Sequence, residues 1–146
     1  MAIREHPQRG SIVWCDFSRG FREPEMVKKR PALVVSKKIS ARVGLCTVVA
    51  LSTTAPAPKQ LYHYHLELNV DFPPHLDLSN SMWVKGDMIN TVSFERIDFI
   101  QIGRNTAGKR TYYLNTITHH QMKAVEACML HSLGLSTLTK HLYEPI

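Results

Sequence analysis

The sequence predicts an α+β domain that is mainly β, and two observations support that prediction. Short apolar runs rich in Val, Ile and Leu alternate with breakers that contain Gly, Pro and Ser, which is typical of a sheet of short strands. A single helical pattern follows near the end of the chain, over residues 118–134. With 146 residues, 44% of them hydrophobic, the chain is predicted to form one domain, residues 1–146, with a core of its own.

The first strand is predicted at residues 11–17, where apolar residues occupy both faces. Alternation places Ile12, Trp14 and Asp16 together on one of these faces. A Trp at such a position more often packs in a core than serves as a platform for a ligand. The polar, aperiodic segment 19–29 is predicted to be a mobile loop, and loops of this kind often carry binding groups on a rigid scaffold.

Further strands are predicted from the same combination of apolar runs and breakers. Residues 62–70 alternate most clearly, with His63 and His65 on the side opposite the aromatic and aliphatic residues, as in a strand with one solvated face. Residues 93–97 are predicted to form one helical turn capped by Ser93. The remaining predicted strands are residues 31–36, 45–51, 81–87, 99–102 and 111–114, the last two as a hairpin across residues 105–110.

The helix is predicted from its two ends and from an apolar stripe between them. Thr118 and Gln121 fit a capping box at its start. Gly134 fits the position just beyond its end, where a left-handed residue is needed. The segment 136–146 has few apolar anchors and is predicted to be a partly mobile tail. The stripe consists of Met122, Val125, Met129 and Leu133.

The formal net charge of +6 is concentrated at the start of the chain. Residues 1–42 contain ten Lys/Arg and four Asp/Glu, so the remainder is neutral. A concentrated positive field attracts polyanions, although a charge run is equally typical of a solubilising surface without a ligand. No apolar run is long enough for a membrane span, no secretory signal is recognisable, and Cys15, Cys46 and Cys128 are isolated and odd in number. We therefore expect a cytoplasmic protein without disulfides or a membrane partner.

The patterns of several common site chemistries do not occur in the sequence. His63 and His65 share a strand face, and His119 is adjacent to His120, but no third ligand stands at a recognisable spacing, so neither a metal nor another cofactor is predicted. No Gly-x-Ser-x-Gly elbow of a serine hydrolase occurs. No Gly-rich phosphate loop occurs either, which argues against nucleotide hydrolysis.

Arg30 is the residue that its neighbours single out. Pro31 has a fixed φ and no N–H, so it belongs at the mouth of the second strand and pushes Arg30 into an extended conformation. If strands two and three are antiparallel neighbours, the start of one lies beside the end of the other, and Arg30 would converge on Ser52 and Thr53. By itself, a Lys-Lys-Arg run before a strand is more often solvated surface.

A guanidinium beside a hydroxyl suits the cleavage of RNA by its own 2′-hydroxyl. The pentacoordinate intermediate gathers negative charge on its equatorial oxygens, and a rigid two-pronged cation stabilises that charge. The side-chain hydroxyl can hold the phosphate or relay a proton. No metal is needed, because the nucleophile is the sugar of the substrate.

Five short motifs occur in an order that is known from one protein family. The most specific is Glu25, four residues, and then Arg30-Pro31-Ala-Leu-Val-Val-Ser36. The other four are Gly10 to Phe17, Val49 to Ser52, Trp83 to Asp87 and Ser132 to Leu135. Along nearly its whole length the chain resembles the MazF/PemK toxins of bacterial type II toxin–antitoxin systems.

That resemblance implies a small, partly open SH3-like antiparallel barrel with a C-terminal helix, usually as a homodimer. It implies metal-independent cleavage of single-stranded RNA at short sequences, which leaves a cyclic phosphate. It also implies inhibition by a cognate antitoxin that lies over the site, and DNA binding together with that antitoxin.

By position, the resemblance makes Arg30 the residue that stabilises the transition state and Ser52 its hydroxyl partner. Ser52 stands where Thr is commoner in the family, and the neighbouring Thr53 is the alternative partner. Lys85 and Asp87 stand at positions that serve catalysis in some members.

The same resemblance implies that the loop of residues 19–29 covers the site and touches RNA. Some members carry a His just before the signature Glu, but this chain has Pro24 there, so a His acid or base is not available at that position. The residues expected to contact RNA are Trp14, Arg19, Arg22, Glu25, Lys28 and Lys29.

Two other functions are left open by the sequence. A non-catalytic gyrase poison of the CcdB type shares the fold but carries a C-terminal Trp-Gly-Ile, whereas this sequence reads Tyr143-Glu-Pro-Ile146 at that point. A nucleic-acid-binding barrel with a decayed active site would show the same basic charge.

Overall fold

The computed structural model describes residues 3–38 and 40–143, which form one antiparallel sheet followed by a helix. The strands are β1 (Ile12–Asp16), β2 (Lys29–Val34), β3 (Leu45–Ser52), β4 (His63–Glu67), β5 (Ser81–Ser93), β6 (Ile97–Arg104) and β7 (Arg110–Tyr113), and helix α1 spans His119–Ser132. Short 3-10 helices lie at Pro74–Leu76, Phe94–Arg96 and Ser136–Tyr143. The predicted fold class, mainly β with one C-terminal helix, is confirmed.

The strands lie in the order β4-β5-β3-β2-β1-β6-β7. Every neighbouring pair in this order is antiparallel. Across the described part of the chain, the edge strands β4 and β7 do not pair with each other, so the sheet is open. β2 and β3 lie near its centre, where neighbours on both sides hold them.

Apolar clusters cover both faces of the central strands. Ile12 belongs to one cluster, which also contains Val125 of α1 and has Trp14 packed against it. Val13 and Cys15 belong to the second cluster, on the other face. The alternation predicted for the first strand is thus confirmed, and it explains why this strand is apolar at almost every position.

β5 departs most from the prediction, because its 13 residues continue to Ser93 instead of ending at Asp87. Its first part pairs with β4 and with the end of β3, and its second part pairs with the start of β3. The register shifts between Val49 and Leu51 of β3. Such an irregularity lets a long strand bend without ending, so the charges at Lys85 and Asp87 do not mark a strand end.

β2 also has different ends from those predicted. It begins at Lys29 rather than Pro31, because Lys29 pairs with Asp16 of β1, and it ends at Val34 rather than Ser36.

The helical turn and the hairpin predicted for residues 93–114 are both present, but with other bounds, since Ile97 begins β6 instead of ending the turn and β7 ends at Tyr113. Ser93 caps a 3-10 turn, since its hydroxyl accepts a hydrogen bond from the N–H of Glu95 at 3.2 Å. β6 and β7 form the hairpin, and its turn is closed by Asn105, whose side-chain oxygen accepts from the N–H groups of Ala107 at 2.9 Å and Lys109 at 3.0 Å.

Helix α1 begins and ends where it was predicted. The Thr118 hydroxyl accepts from the N–H of Gln121 at 3.1 Å, and the Gln121 side chain accepts from the N–H of Thr118 at 2.9 Å, which is a complete capping box. Gly134 adopts a φ of 74° just beyond the helix. The predicted apolar stripe is wrong at Leu133, which is 62% exposed because the helix ends there, and Cys128 is buried instead.

The segment after the helix forms a 3-10 helix over Ser136–Tyr143 that contacts α1 and buries none of its residues. Its predicted mobility stays a prediction, and residues 144–146 of the predicted tail lie outside the described residues. No helix in the described ranges is both long and apolar enough to cross a bilayer.

Gly86 lies where β5 and α1 approach most closely. Its N–H donates to the carbonyl of Tyr62 at 2.8 Å, and its carbonyl accepts from the Ser132 hydroxyl at 2.8 Å. A Cβ atom at this position would lie 2.7 Å from the Cβ of Cys128 and 2.8 Å from the carbonyl oxygen of Tyr62. Only a residue without a side chain lets the helix close on the sheet here.

We therefore predict that Gly86→Ala lowers the free energy of unfolding by roughly 1–3 kcal/mol, because α1 must move away from the sheet to admit a methyl group. Denaturant unfolding followed by circular dichroism measures this. Gly108→Asn is the control, since no atom lies within 4 Å of a Cβ built there and Asn tolerates a left-handed backbone. A Gly86→Ala protein as stable as the unsubstituted chain would contradict this account of the packing.

Candidate active site

The register of β2 and β3 brings the predicted catalytic residues together. Ala32 pairs with Ala50, the last β2–β3 pair toward this end of the two strands, and Arg30 and Ser52 lie two residues beyond it on their own strands. Since side chains two residues apart on a strand point to the same face, Arg30 and Ser52 share the face of Ala32 and Ala50. The expectation that strands two and three are antiparallel neighbours is confirmed.

Arg30, Ser52 and Thr53 line a common cavity of about 190 Å³ at the ends of these strands. Trp14 and Lys29 form part of its wall. Pro31 lies outside the pairing of β2 with β3, which begins at Ala32, but it pairs with Trp14 of β1 as the third residue of β2. The predicted position of Pro31 at the mouth of the strand is therefore wrong. The other lining residues are Pro31, Leu51, Leu76, Asp77 and Leu78.

Arg30 is half-buried, and its Nε is fully buried. Among the residues that the structure describes, Nε finds no hydrogen-bond acceptor. A buried donor without an acceptor costs free energy, and an anionic oxygen is the acceptor that a guanidinium binds most strongly. The part of this half-buried guanidinium that remains accessible therefore favours a phosphate ligand.

The two candidate hydroxyls differ in their surroundings. Ser52 is 6% exposed, and its Oγ accepts from the N–H of Thr54 at 3.1 Å and donates weakly to the carbonyl of Thr54 at 3.5 Å. This turn holds the Ser52 hydroxyl on the face of Arg30. Thr53 is exposed and lies in the bend that follows β3, although it lines the same cavity.

Trp14 is both part of the core and part of the cavity wall. It packs against the first apolar cluster, as predicted, and the Lys29 ammonium lies 5.2 Å from its ring centroid. A cation over an aromatic face is attracted by the ring. Trp14 and Lys29 also line a neighbouring cavity of about 550 Å³ that contains Arg4 and Arg110. The two cavities therefore share one basic, aromatic wall.

The loop between β1 and β2 is anchored at two places. Phe21 packs edge-to-face on Phe17, with ring centroids 5.2 Å apart, and the Arg96 guanidinium lies 4.8 Å from the ring of Phe21. Met26 is buried in the second apolar cluster. These anchors limit how far the loop can move, and the predicted mobility of its exposed part stays a prediction.

The exposed part of this loop lies beside Arg30. Residues 23–28 and Arg30 line an open groove of about 610 Å³, so Arg30 borders both this groove and the smaller cavity. The predicted RNA contacts Arg19, Arg22, Glu25 and Lys28 are all exposed in the loop, and Glu25 and Lys28 line the groove.

Lys85 and Asp87 share the face of Ser52 but do not line its cavity. Ser52 pairs with Trp83, and from Ser81 to Asp87 every second residue of β5 is buried, so positions 83, 85 and 87 point to the other face. Lys85 pairs with His63 of β4, and Asp87 is exposed.

Sequence reasoning missed one part of the cavity, the segment Leu76–Leu78. Asp77 has a φ of 53°, at the left-handed end of the 3-10 helix, and its carboxylate is exposed. The prolines before it marked the segment only as a breaker. Nothing local shows that the segment lies against the ends of β2 and β3, because that contact joins residues distant in sequence.

Within residues 3–38 and 40–143, no group of three or more His, Cys, Asp and Glu residues is placed to hold a metal ion. The cysteines are unsuitable as nucleophiles. Burial raises the pKa of the Cys15 thiol to about 12 and those of Cys46 and Cys128 to about 11. Because the thiolate is the reactive form, the chemistry of this face rests on a guanidinium, hydroxyls and carboxylates.

A sequence model of the PemK-like, MazF-like toxins of type II toxin–antitoxin systems matches residues 8–133. The chain belongs to the PemK/MazF toxin family. The match includes Arg30, Ser52, Lys85 and Asp87, so the whole face described above lies within the family domain.

Two bacterial relatives of this PemK/MazF family member extend over nearly the whole chain. The protein YifN of Escherichia coli strain K12 is 29% identical over 94% of this chain and 99% of its own length. An uncharacterized protein of Haemophilus influenzae is 28% identical over 91% of this chain and 98% of its own length.

Solved structures share the fold. MazF of Deinococcus radiodurans superposes with a TM-score of 0.58 at 20% identity, covering 89% of this chain and 98% of that one. An endoribonuclease in complex with its cognate antitoxin, from a mycobacterial species, gives a TM-score of 0.56 at 21% identity, covering 88% and 96%. At these identities the likeness shows the fold.

Proposed function

We propose that this chain is a toxin-type endoribonuclease that cleaves single-stranded RNA at short sequences without a metal and is inhibited by a cognate antitoxin. The observation that carries the proposal is that Arg30 and Ser52, which come from neighbouring strands, line one cavity with a basic wall. The family match and the structural neighbours named as endoribonucleases support it.

In the proposed reaction, the 2′-oxygen of the RNA attacks the adjacent phosphorus. The new bond from the 2′-oxygen to phosphorus forms as the bond to the 5′-oxygen breaks, which leaves a 2′,3′-cyclic phosphate. Arg30 binds the equatorial oxygens, where negative charge develops. Ser52 donates a hydrogen bond from its hydroxyl to the same phosphate, because its turn with Thr54 holds it on the face of Arg30.

The proton of the 2′-hydroxyl needs an acceptor, and the departing 5′-oxygen takes up a proton from solvent. Asp77 and Asp87 are the candidates that we compare as acceptors of the first proton. Asp77 lines the cavity itself, whereas Asp87 occupies the family position on β5 but lies outside the lining. A general base must be within hydrogen-bond reach of the proton that it removes, so the geometry favours Asp77.

The surroundings of the cavity suit an extended RNA strand. The wall shared by Trp14 and Lys29 leads into the larger basic cavity, and Arg30 borders the loop groove on its other side. Stacking on an aromatic ring and pairing of phosphates with cations are the usual means of binding a single strand. We propose that Arg19, Arg22 and Lys28 contact RNA phosphates from the loop.

The proposed protein partners are an antitoxin and a second copy of this chain. A structural neighbour is an endoribonuclease in complex with its cognate antitoxin. An antitoxin segment over the loop groove would occupy the approach to Arg30 and compete with RNA there. The proposed homodimer, its binding of DNA with the antitoxin and a cytoplasmic location follow from the family resemblance.

The deciding experiment incubates purified protein with a long RNA in EDTA and maps the cut ends. We expect cuts at short, recurring sequences with cyclic phosphate ends, and Arg30→Ala should lower the cleavage rate by at least about 100-fold, because a transition-state donor is lost. Arg30→Lys, which keeps the charge but not the two-pronged geometry, should recover only part of the rate. Loss of cleavage in EDTA that added metal restores would refute the metal-free mechanism, and no cleavage at all would favour a decayed site.

A second prediction separates the two hydroxyls. Ser52→Ala should slow cleavage by about 10- to 100-fold, the usual effect of losing one hydrogen bond to a charged group, whereas Thr53→Val should change it little. Ser52→Thr, which keeps the hydroxyl, is the matched control and should stay active. A larger loss from Thr53→Val than from Ser52→Ala would transfer the role to Thr53.

A third prediction tests the proton acceptor. Asp77→Asn should reduce the cleavage rate by about 100-fold or more, because general base catalysis typically contributes that much. Asp87→Asn is the matched comparison and should have the smaller effect. If Asp87→Asn lowers the single-turnover cleavage rate more than Asp77→Asn does, Asp87 of β5 is the base.

A further inference from the structure

His65 and Trp83 form a stacked aromatic pair on the face that carries Ser52. Their ring centroids are 4.6 Å apart and their planes differ by 24°. His65 pairs with Trp83 across β4 and β5, and Trp83 pairs with Ser52 across β5 and β3. Arg30 of β2 lies two residues beyond the last β2–β3 pair and shares the face of Ser52, so the four residues form one row across four adjacent strands. We call this row the transverse row.

The two ring nitrogens of His65 have different neighbours. Its Nε2 is hydrogen-bonded to the Ser81 hydroxyl, and its Nδ1 lies 3.9 Å from a carboxylate oxygen of Glu67. One face of the ring lies on Trp83, while 41% of the side chain is exposed. A ring that is hydrogen-bonded at one nitrogen, stacked on one face and still partly exposed offers a surface for further stacking.

We infer that His65, backed by Trp83, is a stacking site for one nucleobase of the RNA near the phosphate that Arg30 binds. The inference rests on the proposed function. The transverse row spans three strand spacings of about 4.8 Å each, or about 14 Å from His65 to Arg30, which a short stretch of single-stranded RNA can bridge. Base–aromatic stacking supplies binding energy that does not depend on charge.

The charges around the stacked pair indicate that a base of the RNA, rather than a phosphate, binds on His65. The Glu67 side chain is 79% exposed beside the ring and repels a phosphate at that point. Lys85, two residues along β5 from Trp83, supplies a cation for the adjoining backbone. This arrangement would place a base on His65 and a phosphate toward Lys85.

Ser81, His65 and Glu67 also stand in the order of a hydrolytic triad, and the geometry does not favour that use. The acid of a triad is buried and hydrogen-bonded to the His, whereas Glu67 is largely exposed and 3.9 Å away. These contacts are those of a ring held in position.

Binding of an uncleavable RNA tests the stacking site. The probe is an oligonucleotide that spans the mapped cut, with a single 2′-deoxynucleotide at the cut site and single abasic substitutions at the other positions. In the unsubstituted protein, one abasic position near the cut should weaken binding about tenfold or more. In His65→Ala, the intact probe should bind equally weakly, and the same abasic substitution should have no further effect.

Two variants control this experiment. His65→Phe keeps an aromatic face and should retain most of the affinity, while His120→Ala removes an exposed His from the start of α1 and should not change binding. If His65→Ala binds the intact probe normally, or keeps the full abasic effect, the stacking site is refuted while the nuclease proposal stands. If the unsubstituted protein neither binds nor cuts RNA, both are refuted. Thermal unfolding of each variant checks that His65→Ala is folded, and His65→Leu, which fills the space without an aromatic face, serves as the loss variant if it is not.

Discussion

The pairing of Ala32 with Ala50 determines which groups meet in the candidate site. Side chains alternate along a strand, so a slip of one residue between β2 and β3 would send Arg30 and Ser52 to opposite faces. Pro31 lies just outside this pairing and gives Arg30 a rigid neighbour. The site thus depends on a backbone register, because strand pairing brings its two reactive groups, which are distant in sequence, to one cavity.

Apolar packing on both faces holds that register in place. The clusters around Ile12 and Val13 cover the two sides of the central strands, and a slipped strand would lose contacts on both sides at once. Helix α1 closes one cluster, and it reaches the sheet because Gly86 has no side chain. The functional face is therefore supported by a core in which most residues have no chemical role.

The cation of the sheet, Arg30, and the cations of the loop between β1 and β2 are placed to bind the same ligand. Arg30 belongs to the sheet and borders both the small cavity and the loop groove. Phe21 and Met26 anchor the loop, so its exposed cations stay near that guanidinium without being buried. The stack of His65 on Trp83 adds an uncharged surface to the same face. A polyanion with planar bases suits this combination.

The sequence by itself determined the local features: the strand alternation, the capping box at Thr118, the hairpin and the rigid setting of Arg30, because each depends on residues a few positions apart. It also indicated the family, because each of the five motifs can be read from a few neighbouring residues and all five occur in the family's order. Only the tertiary structure decided how far β5 runs, that Asp77 lines the cavity, and that Trp83 lies between His65 and Ser52. Those facts follow from pairing and packing between distant segments, and periodicity along one segment carries no information about its neighbours.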